Sequence, residues 1–360
     1  MISGGYAMKE AIRRVPVPLA GVMLGFTAYG NFLKNFSDEL WLFMEAVAGF
    51  VLVLLLLKVL TDPEGVREEL RKPAIAGASG TFSMGLMFLA VSVKNVSRAI
   101  GIGIWWVGLL LHVVLIICFT TVFVRHFALK NVYMSWFLVY VGIVAAAATS
   151  PAFGMQRLGR ILTVYGLIVT VVLMIGIGLR YRRLPVEKPF RPLGAICAAP
   201  FSLCLVGLNQ SFPDRNPAVL LTVLCLANIF YVLGLVEVFR YIRGPFFPSF
   251  SGFTFPFINT AIGTSLTLHA LHEIGFGGGT EVLLSVLSDV QCVIASFLLA
   301  VVFLRYGFFL IGRGSQGVLR KQENRTKNAT EIDYDKEIEI RGGNQDVRAY
   351  SYTPESDRIR

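Results

Sequence analysis

The sequence predicts an all-α integral membrane protein of ten transmembrane helices paired as five helical hairpins. Of its 360 residues 55% are hydrophobic and 16% charged, with a mean hydropathy of +0.65, outside the balance of soluble domains. Apolar runs long enough to cross about 30 Å of hydrocarbon recur as far as Ile311. Helix breakers and small residues concentrate in alternate runs. The formal net charge of +10 does not indicate nucleic acid, because the basic residues sit in short loops and the C-terminal tail, where they set topology. The five cysteines, Cys118, Cys197, Cys204, Cys225 and Cys292, fall inside apolar segments without a C-x-x-C pair and read as small buried hydrophobes.

Residues 1–14 form a short basic N-terminus, and the apolar run behind it has no small-residue cleavage pattern. The membrane domain covers 15–312. Its spans are expected near Val15 to Leu33, Leu40 to Leu60, Pro73 to Val93, Ile100 to Val124 and Val132 to Ser150. Five more are expected near Leu158 to Leu179, Leu193 to Asn209, Ala218 to Phe239, Pro248 to Leu271 and Val282 to Ile311. The stretch TDPEGVREELRK reads as a polar loop, and 313–360, polar and of mixed charge, as a disordered cytoplasmic tail. Odd-numbered spans hold Pro16, Pro18, Gly21 and Gly25, then Gly77, Gly80 and Ser83, then Pro151, Pro200 and Pro256. Even-numbered spans are plainer, such as FVLVLLLL. Kinked odd helices inside and smooth even helices toward lipid follow from that alternation.

Loops on the side of the N-terminus carry Lys9, Arg13, Arg14, Arg67, Arg71, Lys72, Arg180, Arg182, Arg183 and others, against few basic residues opposite. The positive-inside rule then puts both termini in the cytoplasm of an inner-membrane protein.

The stretch Phe247 to His272, FPSFSGFTFPFINTAIGTSLTLHALH, is long enough to cross the bilayer yet holds Pro256 near its middle. On one continuous helix Gly252, Phe255, Asn259 and Gly263 share a narrow face, and Pro256 bends the helix and frees the carbonyl of Gly252. Such a helix either lines a pathway or packs on its neighbours through small residues.

The segments PSFSGFTFPFINTAIGTSL, VPVPLAGVMLGFTAYG and GTFSMGLMFLA resemble the tellurite-resistance and dicarboxylate transporter family, which includes slow-type and voltage-dependent anion channel-like proteins. The resemblance spans the chain to about Arg313, and F-x-F-P is its most specific piece. It implies five odd helices around a central pore with pseudo-five-fold symmetry, one pore per protomer of a homotrimer. It also implies that the phenylalanine before the ninth-helix proline, Phe255, plugs the pore, leaving Phe253 and Phe257 to packing. A ring in a narrow apolar pore blocks ions by dewetting, and a rotamer change opens it.

The expected permeants are small inorganic anions or dicarboxylates, with no cofactor or metal. Pore-lining candidates are Gly252, Pro256, Asn259, Gly263, Pro18, Gly25, Ser83 and Pro200. No Lys or Arg lies deep in the odd spans, so selectivity would rest on pore width, backbone dipoles at the kinks, and basic mouth residues. Lys94, Arg98 and Arg14 are the mouth candidates, with interfacial snorkelling as their alternative role. Glu45, His112 and Glu237 fall on even helices and are expected in helix contacts. Competing readings are a proton-coupled malate-like, sulfite or tellurite transporter and, from another class, a metal-dependent intramembrane enzyme built on His269, His272 and Glu273.

Overall fold

Every regular element of the described residues, 11–275 and 278–312, is helical in the computed structural model. The elements are α1 (Val17–Leu33), α2 (Asp38–Thr61), α3 (Pro73–Lys94), α4 (Arg98–Val124), α5 (136–153) and α6 (Gln156–Arg183). They continue with α7 (Lys188–Ser211), α8 (Pro217–Tyr241), α9 (248–273) and α10 (Gly279–Ile311). Seven of them, α2, α3, α4, α6, α7, α8 and α10, are long and apolar enough to cross a membrane. The chain is a multi-pass membrane protein.

The other three are short or broken, for local reasons. α1 opens with the 3-10 turn Val17–Leu19, with proline among its first residues. α5 is interrupted between Tyr140 and Val144 and ends in the turn Ser150–Phe153, closed by Gly154 at φ 72°. That left-handed conformation suits glycine and stops the helix. α9 breaks at Thr254, between the 3-10 turn Pro248–Phe253 and the α-helix Phe255–Glu273.

Three predicted proline kinks take a different form. Pro18, Pro200 and Pro256 all stand in the first positions of a helix instead of its interior. A proline there lacks only an N–H that the helix leaves unused, and its fixed φ suits the first turn. The helix therefore begins beside Pro256 and does not bend at it. Gly252 belongs to the preceding turn, so it does not share a continuous helical face with Phe255, Asn259 and Gly263. The expected loop after α2 also differs: Pro63–Leu70 is a short helix with proline at its start, Glu64 in its first turn and Arg67 in its last.

Burial follows the alternation in the sequence. The most apolar stretch of α7 is entirely buried, and that of α3 is 67% buried, whereas those of α2, α4 and α6 are only 17%, 22% and 22% buried. The exposed faces of the even helices carry large apolar side chains such as Phe50, Leu110, Ile168, Val232 and Phe297. Apolar side chains facing outward mark a lipid-facing shell around a tight interior.

Close approach of the inner helices needs small residues. A Cβ on Gly80 would lie 2.6 Å from the Leu138 carbonyl oxygen, and one on Gly77 2.5 Å from Ser135 Oγ. At the end of the bundle where α1 begins, the proximal end, Lys58 of α2 is buried. It donates to the Arg13 carbonyl at 2.7 Å and to Asp62 Oδ2 at 2.6 Å, while Glu69 Oε2 accepts the Val17 N–H at 2.9 Å. A carboxylate on the first N–H of α1 satisfies an orphan donor and favours the helix dipole. The expected tail, 313–360, and the N-terminal residues to 10 lie outside the described residues.

Candidate functional site

The break in α9 positions the site. Thr254 adopts φ −102°, ψ −86°, and its Oγ1 donates to the Gly21 carbonyl of α1 at 3.0 Å and to Ser251 O at 2.7 Å. The restart is thereby tied to α1, where a Cβ on Gly21 would come within 3.0 Å of Ser251 Cβ. The helix begins in the bundle interior, since residues 249–264 are buried without interruption. The positive end of the helix dipole lies in that interior, where the Phe257 and Ile258 N–H groups donate to the Thr254 carbonyl at 3.2 and 3.3 Å.

Phe255 is the first residue of this helix and 1% exposed. Its ring meets Phe88 of α3 edge to face, with centroids 6.0 Å apart and planes at 68°. Phe253 instead packs on Phe250 at 4.9 Å, and Phe257 on Tyr231 of α8 at 5.4 Å. Three aromatic side chains in five residues thus diverge, and only Phe255 turns toward α3.

Asn259, one turn on, donates from Nδ2 to Ser202 Oγ of α7 at 3.1 Å, and its Oδ1 is buried without a protein partner. Thr264 Oγ1 and Asn209 Oδ1 are likewise buried and unpartnered. Buried polar atoms without a protein partner are places where water or a solute can bond. Gly263 and Gly252 are pressed against α7: a Cβ would meet Leu205 Cδ2 at 3.0 Å from the first and Ile196 Cγ1 at 3.1 Å from the second. Gly25 fits between Leu299, Thr254 and Ile258, each within 3.3 Å of a Cβ placed there. Pro18 and Pro200 are buried helix starts, the second in α7, whose 3-10 stretch Lys188–Ala198 gives way to an α-helix inside the bundle as α9 does.

Ser83 turns to α4. Its Oγ lies 2.7 Å from His112 Nδ1 and also bonds Gly80 O, and His112 Nε2 is 2.9 Å from Val139 O. Val139 sits where α5 is about to break, so the imidazole serves a carbonyl next to an interrupted helix. Glu45 accepts from Thr27 Oγ1 at 2.9 and 3.1 Å, and Glu237 pairs with Arg240 at 2.6 Å. All three are inter-helix or helix-end contacts.

The mouth candidates are dispersed. Lys94 and Arg98 flank the α3–α4 connection at the distal end, half-exposed and exposed, and half-buried Arg14 stands at the proximal end. The histidines do not converge. His269 Nε2 is 3.4 Å from Glu273 Oε1, while His272 Nδ1 is 2.9 Å from Glu281 Oε1. Among the described residues no three His, Cys, Asp or Glu side chains come together as a metal-holding group.

Sequence reasoning missed Phe88, one aromatic among 28 phenylalanines with no motif of its own. It also missed Thr254, although a threonine two residues before a proline is a helix-start signal. Arg180 was expected as a loop cation. It is 1% exposed, with Nη1 donating to the carbonyls of Leu184 and Pro185 and its guanidinium over the Tyr133 ring.

Residues 15–306, from the start of α1 almost to the end of α10, match the model of the voltage-dependent anion channel family, SLAC1. The chain belongs to that family. No curated protein matches the sequence. Membership of the voltage-dependent anion channel family makes this an anion channel or transporter in general.

Proposed function

We propose that the protein is an anion channel, or a channel-like transporter, conducting small anions along a path enclosed by α1, α3, α5, α7 and α9 and occluded by Phe255. The observation that carries the reading is Phe255 itself: a fully buried ring at an interior helix start, turned onto Phe88. Five helical hairpins, with the even helices outside, organise the path, and a homotrimer in an inner membrane with both termini cytoplasmic is its setting. The alternation in burial and the basic loops support this arrangement.

Selectivity for anions without a buried cation ring comes from helix ends. The α-helices that restart at Ala199 and Phe255 place their N-termini inside the bundle, where the partial positive charge of the helix dipole favours an anion without holding it tightly. Such weak binding suits rapid passage. Of the sequence candidates, Pro256, Asn259 and Pro200 remain beside these helix starts, and Gly252, Gly263, Gly25, Ser83 and Pro18 shape the wall through close packing. Lys94, Arg98 and Arg14 would raise anion concentration at the mouths.

The competing reading is a proton-coupled transporter of dicarboxylates, sulfite or tellurite. The half-buried Glu45 carboxyl, bonded to Thr27 against α1, is the observation that favours it. Chloride and nitrate currents of the wild type beside Phe255→Ala decide between them. The expected result is a small wild-type current that rises severalfold in the variant with its anion preference kept. Silence in both proteins, with malate or sulfite flux following a pH gradient, overturns the channel reading.

A further inference from the structure

At the distal end, away from Phe255, a cavity of about 680 Å³ opens among the ends of α4, α6 and α7 and the loops joining them. Three arginines line it, Arg157, Arg160 and Arg215, and no Asp or Glu does. Arg160 is oriented by its Nε–H, which donates to the Ser211 carbonyl at 3.0 Å, leaving the outer edge of the guanidinium for another partner. Arg215 pairs through Nη1 with Glu273 Oε2 at 3.0 Å, while its Nε is buried without a protein partner. Arg157 is exposed and makes no ion pair among the described residues. Among the described residues, one of the three charges is therefore compensated and two are not.

The backbone adds to this field. α6, a helix of 28 residues, begins at Gln156 in the cavity wall with no side chain capping its first N–H groups. Orphan donors and the positive end of a long helix dipole accordingly face the space the arginines surround. The second, independent feature is Asn209. It is 5% exposed and borders the cavity, its Nδ2 donates to Leu205 O and Thr267 Oγ1, and its Oδ1 is buried without a protein partner. A buried acceptor of this kind calls for a donor, which the hydration water or the hydroxyl of a bound ion supplies. Trp106 of α4 closes one side.

We propose that this cavity is an oxyanion site, built for a phosphate-type group, free or carried by a phospholipid headgroup. Guanidinium forks match two oxygens of one such group, and helix N–H donors match a third. The test of this site does not depend on the gate at Phe255.

The test uses the full chain in detergent at low chloride, titrated with inorganic phosphate by calorimetry, and phosphorus analysis of protein purified from phosphatidylglycerol-containing membranes. The wild type is compared with Arg157→Gln and with Arg157→Gln/Arg160→Gln; both side chains are exposed, and melting temperature checks that the variants fold. If free phosphate binds the wild type and the double variant weakens it about tenfold or more, the site holds the free ion. If free phosphate does not bind, but bound phospholipid phosphorus falls in the double variant, the group is lipid-borne. Equal phosphate affinity and equal lipid phosphorus in wild type and variants overturn the proposal.

Discussion

Phe255 of α9 and Phe88 of α3 touch edge to face across the interior, with ring centroids 6.0 Å apart, and Phe88 is itself held by its backbone. Its carbonyl accepts Asn31 Nδ2 of α1 at 2.9 Å, and the same asparagine accepts Ser92 Oγ at 3.0 Å. The wall behind Phe255 is thus braced by α1 and α3 together.

Removing the Phe88 ring leaves Phe255 without its aromatic neighbour and widens the space into which it can turn. Phe88→Ala should raise chloride flux in liposomes above wild type, while a combined Phe88→Ala/Phe255→Ala protein adds little beyond Phe255→Ala alone. Independent, multiplying increases would show that the two rings do not act together.

Glycine is required at Gly80 by geometry, not by conformational freedom. A Cβ there would approach the Leu138 carbonyl oxygen to 2.6 Å, and a backbone atom in a packed helix cannot move aside cheaply. Gly80→Ala should cost on the order of 1–3 kcal/mol, seen as a lower melting temperature in detergent. Gly176 has no atom within 4 Å of its Cβ position, so Gly176→Ala should be neutral or stabilising by up to about 1 kcal/mol. Equal melting temperatures for the two variants would refute the packing argument.

His112 bridges α3, α4 and α5 through Ser83 and the Val139 carbonyl. His112→Phe keeps an aromatic ring but strands that carbonyl, at a cost of about 1–3 kcal/mol. The variant should melt earlier while its chloride-to-nitrate preference stays as in the wild type. A changed preference with unaltered stability would place His112 in the conducting path.

The Lys58 hydrogen bond holds the Asp62 carboxyl below its ordinary range. An acid with a lowered folded pKa contributes stability above its unfolded value and loses it as pH falls through the folded one. Asp62→Asn should therefore lower the melting temperature at neutral pH, where the carboxylate's contribution is present, and flatten the acid limb, the variant and wild type converging as pH falls below the folded value. Glu69 has the opposite sign: burial raises its pKa, so its contribution is present at low pH and declines as pH rises through the folded value.

Span positions were legible because each helix must bury or expose a long apolar stretch. The expected Pro73 to Val93 became Pro73–Lys94, and Ile100 to Val124 became Arg98–Val124. What could not be read is how a proline-containing stretch divides. Pro256 is compatible with a kink and with a helix start, and the difference lies in the Thr254 bond to Gly21 O, made by a residue 233 positions away in the chain. The same distance hides Phe88, whose significance is only its position opposite Phe255.

Composition, apolar run length and the alternation of breakers determined by themselves that the chain is an all-helical membrane protein with inner and outer helices, because each is a property of local segments against lipid. The F-x-F-P motif singled out Phe255. Tertiary structure alone decided where helices stop and restart, which faces of Gly25, Gly252 and Gly263 are filled by neighbours, and that Arg157, Arg160 and Arg215 line one cavity. Those outcomes depend on pairings between distant segments, and a backbone group or a charge acquires its partner only when the helices carrying both have packed.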